Sequence, residues 1–183
     1  ERSCKAAVHR LIVLCLLCGL RPPSPDTGAY CRARAKVTPA VLQRLTLSMA
    51  KTVEQEMPES WLWCGRRALL GDGTTALAPD TPENQQAWPQ SASQKPGLGF
   101  PILRMVLLVS LATGMIRGLA EGPCKGKRTG ETALLRELFD CFLEDDVFVA
   151  DSYYCSYLMI ALLKKRGVDV VLKLHHLREF DWS

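Results

Sequence analysis

The chain has 183 residues, of which 48% are hydrophobic and 23% are charged, a balance that indicates a globular protein rather than a disordered one. Its formal net charge of +4 is too small to indicate a nucleic-acid partner by itself. The candidate membrane segment, residues 11–20, is shorter than the roughly 20 residues that a bilayer span needs, so no membrane association is expected. The eight cysteines show no paired zinc spacing, which favours a reduced, cytoplasmic protein.

The first part of the chain predicts two helices, which together form an N-terminal helical region over residues 1–60. Residues 4–20 are apolar, and the proline-rich residues 21–28 after them predict a linker. Residues 38–57 have an apolar repeat of helical period, with Thr38 as the N-cap. We expect that apolar stripe to pack into a core.

Strand patterns follow this helical region. The stretch "RALLGDGTT" predicts a first strand that runs into Asp72, and residues 78–100 predict a loop. Residues 102–111 and the stretch "MIRGLAEG" predict two further strands, which continue the first strand as an antiparallel meander.

Helices and strands alternate in the remainder. After the basic loop "PCKGKRTG", residues 130–143 predict a helix and residues 147–151 a strand that ends at Asp151. Residues 155–166 predict another helix, and "VDVVLKLH" predicts a fifth strand. The order β-β-β-α-β-α-β predicts an α/β fold with a mixed sheet over residues 61–183, which we expect to be incomplete.

Charge is distributed unevenly over this second region. Residues 91–130 carry six Lys and Arg against one acidic residue, whereas residues 131–151 carry one against seven. The first segment could grip a polyanion and the second could hold a cation. A solvated surface is the ordinary explanation of either run taken alone.

Asp72 and Asp151 are the candidate catalytic and metal-binding residues. Each is predicted to end an apolar strand, where a carboxylate is costly unless something pairs with it. If the first and fourth strands are neighbours, as in the ribonuclease H-like arrangement, the two carboxylates lie side by side. They could then share Mg²⁺ or Mn²⁺ ions that act on a phosphodiester. For either aspartate taken singly, a helix cap is the alternative role.

Four stretches resemble, in order and spacing, the IS-four-like DDE transposases of bacterial insertion sequences: "LLGDGTTALAPDTPENQ", "SQKPGLGFPILRMV", "GKRTGETALLREL" and "VFVADSYYCSYLMIALLKKRGVDVVLKLH". The resemblance implies a ribonuclease H-like core that uses two divalent ions, Mg²⁺ or Mn²⁺, to cut and join DNA ends. It makes Asp72 and Asp151 the first two of three acidic ligands. The third, a Glu in a Tyr-Arg-Glu-Lys type motif, has no counterpart in this sequence. We therefore expect a truncated chain that is inactive by itself.

The resemblance also makes DNA the expected partner, at transposon ends and target sites in the bacterial cytoplasm, with a homodimer on DNA as one arrangement. Lys95, Lys125, Lys127 and Arg128 lie in predicted loops and are the candidate phosphate contacts, although solvated loop residues are an equal alternative. Glu131 opens a predicted helix, and we expect it to favour the helix dipole rather than catalysis.

Three points leave alternatives open. Ser152 stands where the family commonly has Arg, which puts the activity of even a longer chain in question. The chain could instead be a non-catalytic fragment that binds DNA or an intact transposase. It could also be an unrelated nuclease domain that uses two aspartates for metal.

Overall fold

The computed structural model describes residues 3–127 and 129–174 of the chain. The described α-helices are α1 (Cys4–Leu17), α2 (Thr27–Ala35), α3 (Pro39–Glu56), α4 (Pro82–Ala87), α5 (Glu131–Glu137) and α6 (Tyr157–Lys165). The described strands are β1 (Ala68–Leu77), β2 (Ile102–Ser110), β3 (Ile116–Pro123), β4 (Val147–Ala150) and β5 (Asp169–Leu172). Short 3-10 helices lie at Glu59–Trp61 and Phe139–Cys141.

The N-terminal helical region contains a helix that the sequence did not predict. The side chain of Asp26 accepts a hydrogen bond from the backbone N–H of Gly28 at 3.1 Å, and this cap starts α2 within the predicted linker. Three described helices, rather than two, therefore precede the sheet. The chain divides into compact units between Thr46 and Leu47, within α3. The boundary at residue 60 stays a prediction.

The apolar stripe of α3 does not form a core in the described structure. Four of its members have between 44% and 56% of their surface exposed: Val41, Leu42, Leu45 and Met49. The helical period of the stripe was read correctly, since α3 spans most of the predicted range. The prediction that these side chains are buried was wrong, because periodicity identifies a face of a helix but not what covers it.

The five strands form one sheet in the order β3-β2-β1-β4-β5. β1, β2 and β3 are joined by antiparallel pairing, whereas β4 pairs in parallel with both β1 and β5. The predicted ribonuclease H-like mixed sheet is thereby confirmed. Its first and fourth strands are neighbours, which is the arrangement on which the prediction of paired aspartates depended.

Two elements differ from the sequence prediction in the connecting segments. α4 lies within the predicted loop of residues 78–100, because the Thr81 hydroxyl accepts from Asn84 N at 3.2 Å and Pro82 occupies the first turn. The helix predicted over residues 130–143 ends at Glu137 and continues as the short 3-10 helix.

One face of the sheet carries the core. Its buried strand residues are Leu69, Val106, Leu108, Ala120 and Phe148, and its helical partners are Leu134, Leu135, Met159 and Leu163. Phe148 lies at the centre of an aromatic row, edge-to-face with Phe142 at 5.4 Å and with Tyr154 at 6.1 Å between ring centroids. α5 and α6 are thus held against the sheet by apolar burial, and the loops at the strand ends are left to carry polar groups.

A buried ion pair joins the starts of β1 and β4. Arg67, just before β1, donates from Nε to Asp146 Oδ1 at 2.8 Å and from Nη2 to the other carboxylate oxygen, and its Nη1 reaches Glu54 at 3.3 Å. Asp146, just before β4, is 2% exposed and also accepts from Leu143 N at 2.7 Å. Burial alone would lower the pKa of Arg67, but Asp146 and Glu54 raise it, so the guanidinium stays charged.

Arg66 extends the same connection to the third parallel strand. Its Nε donates to the Asp145 carbonyl at 2.7 Å, and its Nη1 donates to Asp169 Oδ2 at 2.8 Å at the start of β5. The pKa of Asp169 is lowered by its hydrogen bonds with Lys164 and Arg66. Two consecutive arginines therefore hold the starts of β1, β4 and β5 in register.

We expect Asp146→Asn to lower the free energy of unfolding by about 3 kcal/mol, because the partly buried Arg67 guanidinium loses the carboxylate to which it donates two hydrogen bonds. Asp140→Asn is the matched control: Asp140 pairs with Arg166 but its side chain is 92% exposed, so a loss below about 1 kcal/mol is expected. Urea unfolding followed by circular dichroism measures both. Equal losses in the two variants would contradict a special role for Asp146.

Candidate active site

Asp72 and Asp151 lie at the same level of neighbouring parallel strands. The pairing of β1 with β4 runs from Ala68 opposite Val147 to Gly71 opposite Ala150, so the two aspartates are the next residues in that register. Neighbouring strands lie about 4.8 Å apart. Both aspartates are exposed. The parallel register therefore presents two carboxylates together at the point where β4 ends.

Asp151 begins the turn that follows β4. Its Oδ1 accepts from Tyr153 N at 2.9 Å, which fixes the carboxylate within the turn. Ser152 follows it, half-buried, and its carbonyl accepts from Cys155 N at 3.3 Å. Asp151 is thus no cap of α6, since the side chain that caps this helix belongs to Ser156.

The glycines on either side of Asp72 leave room for groups on the core face. A Cβ at Gly71 would overlap the ring of Phe148, and a Cβ at Gly73 would overlap the carboxyl group of Glu131. β1 alternates its faces, so Asp72 lies on the opposite side of the strand from these two contacts. The Gly-Asp-Gly sequence therefore combines close packing on one face with an exposed carboxylate on the other.

Glu131, the first residue of α5, approaches the same region. Its Oε2 lies 3.4 Å from the hydroxyl of Tyr154, which donates to it. Burial raises the pKa of Tyr154, and the negative charges of Glu131, Asp72 and Asp151 raise it further, so the phenol stays neutral and remains a donor. Three carboxylates thus act electrostatically on one buried hydroxyl.

The candidate DNA-binding lysines lie farther along the sheet. Lys125 lines a cleft of about 580 Å³ together with Gln94 and Pro96, the two residues that flank the exposed Lys95. Gln90 orders that loop by donating from Nε2 to the Lys95 carbonyl at 2.8 Å. The structure therefore brings the loops of Lys95 and Lys125 to one cleft.

This cleft is separated from the aspartates along β1. Asp80, which follows β1, also lines the cleft. The prediction that the first strand ends at Asp72 was wrong, because pairing with β2 carries β1 on to Leu77. Asp72 and Leu77 are therefore about 17 Å apart, at roughly 3.3 Å per residue. Lys127 is exposed in the loop before α5. Arg128, the fourth candidate, lies outside the described residues. The cleft that Lys125 lines thus lies beyond the end of β1, away from Asp72.

Sequence reasoning missed the residues that position the aspartates. Arg67 and Asp146 each stand directly before a buried strand, and a charge at such a position is the signal that could have identified them. The contact of Glu131 with Tyr154 had no sequence signal, because α5 and the turn after β4 meet only in the folded chain.

The donor set suits a hard divalent cation, since two exposed carboxylates at the same level of neighbouring strands offer the oxygen ligands that Mg²⁺ and Mn²⁺ prefer. Within residues 3–127 and 129–174, no group of three or more His, Cys, Asp or Glu side chains is arranged to hold a metal ion. The eight cysteines are free. Within the same described ranges, no helix has the length and hydropathy needed to cross a bilayer.

A mixed sheet of this order, with one carboxylate within its first strand and one directly after its fourth, defines a ribonuclease H-like domain. Residues 63–180 match the family model described as "Transposase DDE domain". The chain belongs to this family, which confirms the resemblance found in the sequence and sets aside an unrelated nuclease domain.

A curated relative supports the same assignment. The chain is 29% identical over 150 residues to "Transposase InsG for insertion sequence element IS4" of Escherichia coli (strain K12). The alignment covers 81% of this chain but 32% of that relative, so the chain spans about a third of the relative's length.

We expect Gly71→Ala to lower the free energy of unfolding by about 2 kcal/mol, because the added methyl group must displace the ring of Phe148 within the core. Gly122→Ala is the control, since a Cβ there meets Leu134 at 3.4 Å and needs little adjustment. Thermal or urea unfolding measures the difference. A Gly71→Ala protein as stable as the Gly122→Ala protein would show that β1 does not need this close approach.

Proposed function

We propose that Asp72 and Asp151 are the first two acidic ligands of a DDE site for metal-dependent phosphodiester hydrolysis and strand transfer at transposon ends. The observation that carries the proposal is the parallel register of β1 and β4, which makes these aspartates neighbours. Family membership supplies the reaction class. The relative is named as a transposase of an insertion sequence, which supports DNA ends as the substrate.

The two carboxylates would hold Mg²⁺ or Mn²⁺, with two ions expected in the complete site. Bound ions of this kind lower the pKa of water and stabilise the charge that develops on phosphate oxygens. The contribution of this chain is to orient the ligands. The hydrogen bond from Tyr153 N fixes Asp151, and the pairing with β2, Asp72 opposite Leu107, fixes the strand that bears Asp72.

We further propose that this chain does not cleave DNA by itself. A DDE site uses three acidic ligands in the family pattern, and the described residues bring together no group of three that could hold a metal ion. Ser152 also occupies the position after Asp151 where the family commonly has Arg. A serine hydroxyl cannot form the bidentate hydrogen bonds that a guanidinium makes with phosphate. In a longer chain, Ser152→Arg tests this difference.

DNA is the proposed partner, bound through the loops that carry Lys95, Lys125 and Lys127. Their exposure leaves the ammonium groups accessible to phosphate, and the cleft that Lys125 lines is also lined by Gln94 and Pro96, the neighbours of Lys95. Such contacts give salt-dependent affinity that is largely independent of sequence. Dimerisation on DNA and a contact from Arg128 remain predictions.

We expect the chain to bind Mn²⁺, and we expect Asp72→Asn and Asp151→Asn each to weaken that binding more than tenfold. Substituting a residue that only orients a metal ligand already lowers metal affinity by roughly tenfold or more. Asp140→Asn removes an equal charge from an exposed side chain and should leave the affinity unchanged. Electron paramagnetic resonance of free Mn²⁺ measures the affinity. Equal affinity in all four proteins would contradict the proposed site.

Plasmid DNA incubated with the chain in Mg²⁺ should stay intact. Cleavage that Asp72→Asn abolishes would contradict the proposed inactivity and support the site. Cleavage that survives this substitution would indicate a contaminating nuclease.

We expect the triple variant Lys95→Ala, Lys125→Ala, Lys127→Ala to bind a DNA duplex more weakly. The slope of log K against the logarithm of salt concentration should also become less negative, by about 0.9 for each phosphate contact that is lost. Lys165→Ala is the single-site control, because Lys165 is exposed near the opposite end of the sheet, in the last turn of α6. Fluorescence anisotropy at several salt concentrations gives both slopes. An unchanged slope in the triple variant would exclude these loops from the interface.

A further inference from the structure

The Glu131 side chain does more than favour the dipole of a short helix. Its carboxyl group lies against the backbone of Gly73, so closely that no Cβ would fit there without displacing it. Its Oε2 is the acceptor for the Tyr154 hydroxyl, at 3.4 Å. Glu131 therefore contacts two segments at once, the strand beside Asp72 and the turn after β4.

Tyr154 is the anchor of that turn. It is 1% exposed, and its ring stands edge-to-face with Phe148 of β4 at 6.1 Å and with Tyr153 at 5.8 Å between ring centroids. A phenol hydroxyl that is buried in this way requires a hydrogen-bond partner, and Glu131 provides it. The neighbouring residue, Tyr153, donates its backbone N–H to Asp151.

We propose that Glu131 is a positioning residue of the candidate site, which acts through Tyr154 to hold the Asp151 turn beside the β1 segment that carries Asp72. The route runs from Asp72 to its neighbour Gly73, then through the contacts of Glu131 with Gly73 and Tyr154. Tyr153, which packs against Tyr154 and donates its N–H to Asp151, completes the route. It links the two carboxylates at the end where the pairing of β1 with β4 stops, at Gly71 and Ala150. Two connections would then fix the distance between the Asp72 and Asp151 carboxylates that a shared cation needs. One is the pairing of β1 with β4, and the other is the set of contacts made by Glu131.

The proposal rests on the proposed function for the cation, but the holding of the turn is a property of the metal-free protein. Glu131 is not a ligand in this proposal, in agreement with the lack of any metal-binding group of three among the described residues. The hydrogen bond, rather than the charge of Glu131, carries the effect. Substitutions can separate these two contributions.

The experiment compares Glu131→Gln, which keeps an acceptor but loses the charge, with Glu131→Ala and Tyr154→Phe, which remove the acceptor and the donor. We expect Glu131→Ala and Tyr154→Phe each to weaken Mn²⁺ binding about fivefold, the factor that about one hydrogen bond contributes. The double variant Glu131→Ala, Tyr154→Phe should lose no more than either single variant, because both act on one contact. Glu131→Gln should keep most of the affinity.

Amide hydrogen exchange without metal tests the positioning directly. We expect the segment of residues 151–156 to exchange faster in Glu131→Ala and Tyr154→Phe, but not in Glu131→Gln, with the global unfolding transition little changed. This readout stands even if the chain binds no Mn²⁺. Failure of the proposed function and failure of this inference are therefore distinguishable.

Three results would overturn the inference. Loss of Mn²⁺ affinity in Glu131→Gln as large as in Asp72→Asn, with Tyr154→Phe unaffected, would make Glu131 a direct ligand. If Glu131→Ala lowers stability but does not change the hydrogen exchange of residues 151–156, Glu131 acts only by stabilising the start of α5. Unchanged exchange in every variant would show that the contact holds nothing.

Discussion

The ion pair between Arg67 and Asp146 is the interaction on which the arrangement of the site depends. These residues stand directly before β1 and β4, and each precedes its aspartate, Asp72 or Asp151, by the same number of residues along the chain. A register fixed at the start of two parallel strands is therefore carried to the level of the carboxylates. A slip of one residue would move one aspartate to the other face of the sheet. Breaking this pair leaves the partly buried Arg67 guanidinium with Glu54 as its remaining acidic partner, at 3.3 Å.

The core and the site occupy different parts of the same strands. Leu69 and Phe148 belong to the buried core, and Asp72 and Asp151 each follow three residues later along the same two strands. Gly71 marks the transition, because Phe148 occupies the space that a side chain there would need. Rigid packing directly beneath two exposed carboxylates suits a site that must orient ligands for a cation, since positions set by a close-packed layer vary little. The turn after β4, anchored by Tyr154, extends that layer to Asp151.

The chain belongs to the transposase DDE family, and the neighbouring strands that carry Asp72 and Asp151 lie within the residues that match the family model. The chain aligns with 32% of its transposase relative, and its described residues bring together no group of three or more His, Cys, Asp or Glu side chains that could hold a metal ion. The basic loops at the far end of the meander give the domain a second polar region, separate from the aspartates. An arrangement of acidic and basic regions along one sheet is consistent with the DNA partner proposed above.

The sequence by itself determined the order of the five strands and the parallel and antiparallel parts of the sheet, because strand and helix periodicity are local patterns, and it identified two aspartates as candidates. It did not predict α2 or α4, whose starts depend on the single caps Asp26 and Thr81. The tertiary structure alone decided which charges pair. Contacts between distant residues, such as Arg67 with Asp146 and Glu131 with Tyr154, leave no periodic trace in the chain. For the same reason it alone showed that the apolar stripe of α3 is exposed, since a sequence specifies a face but not its neighbour.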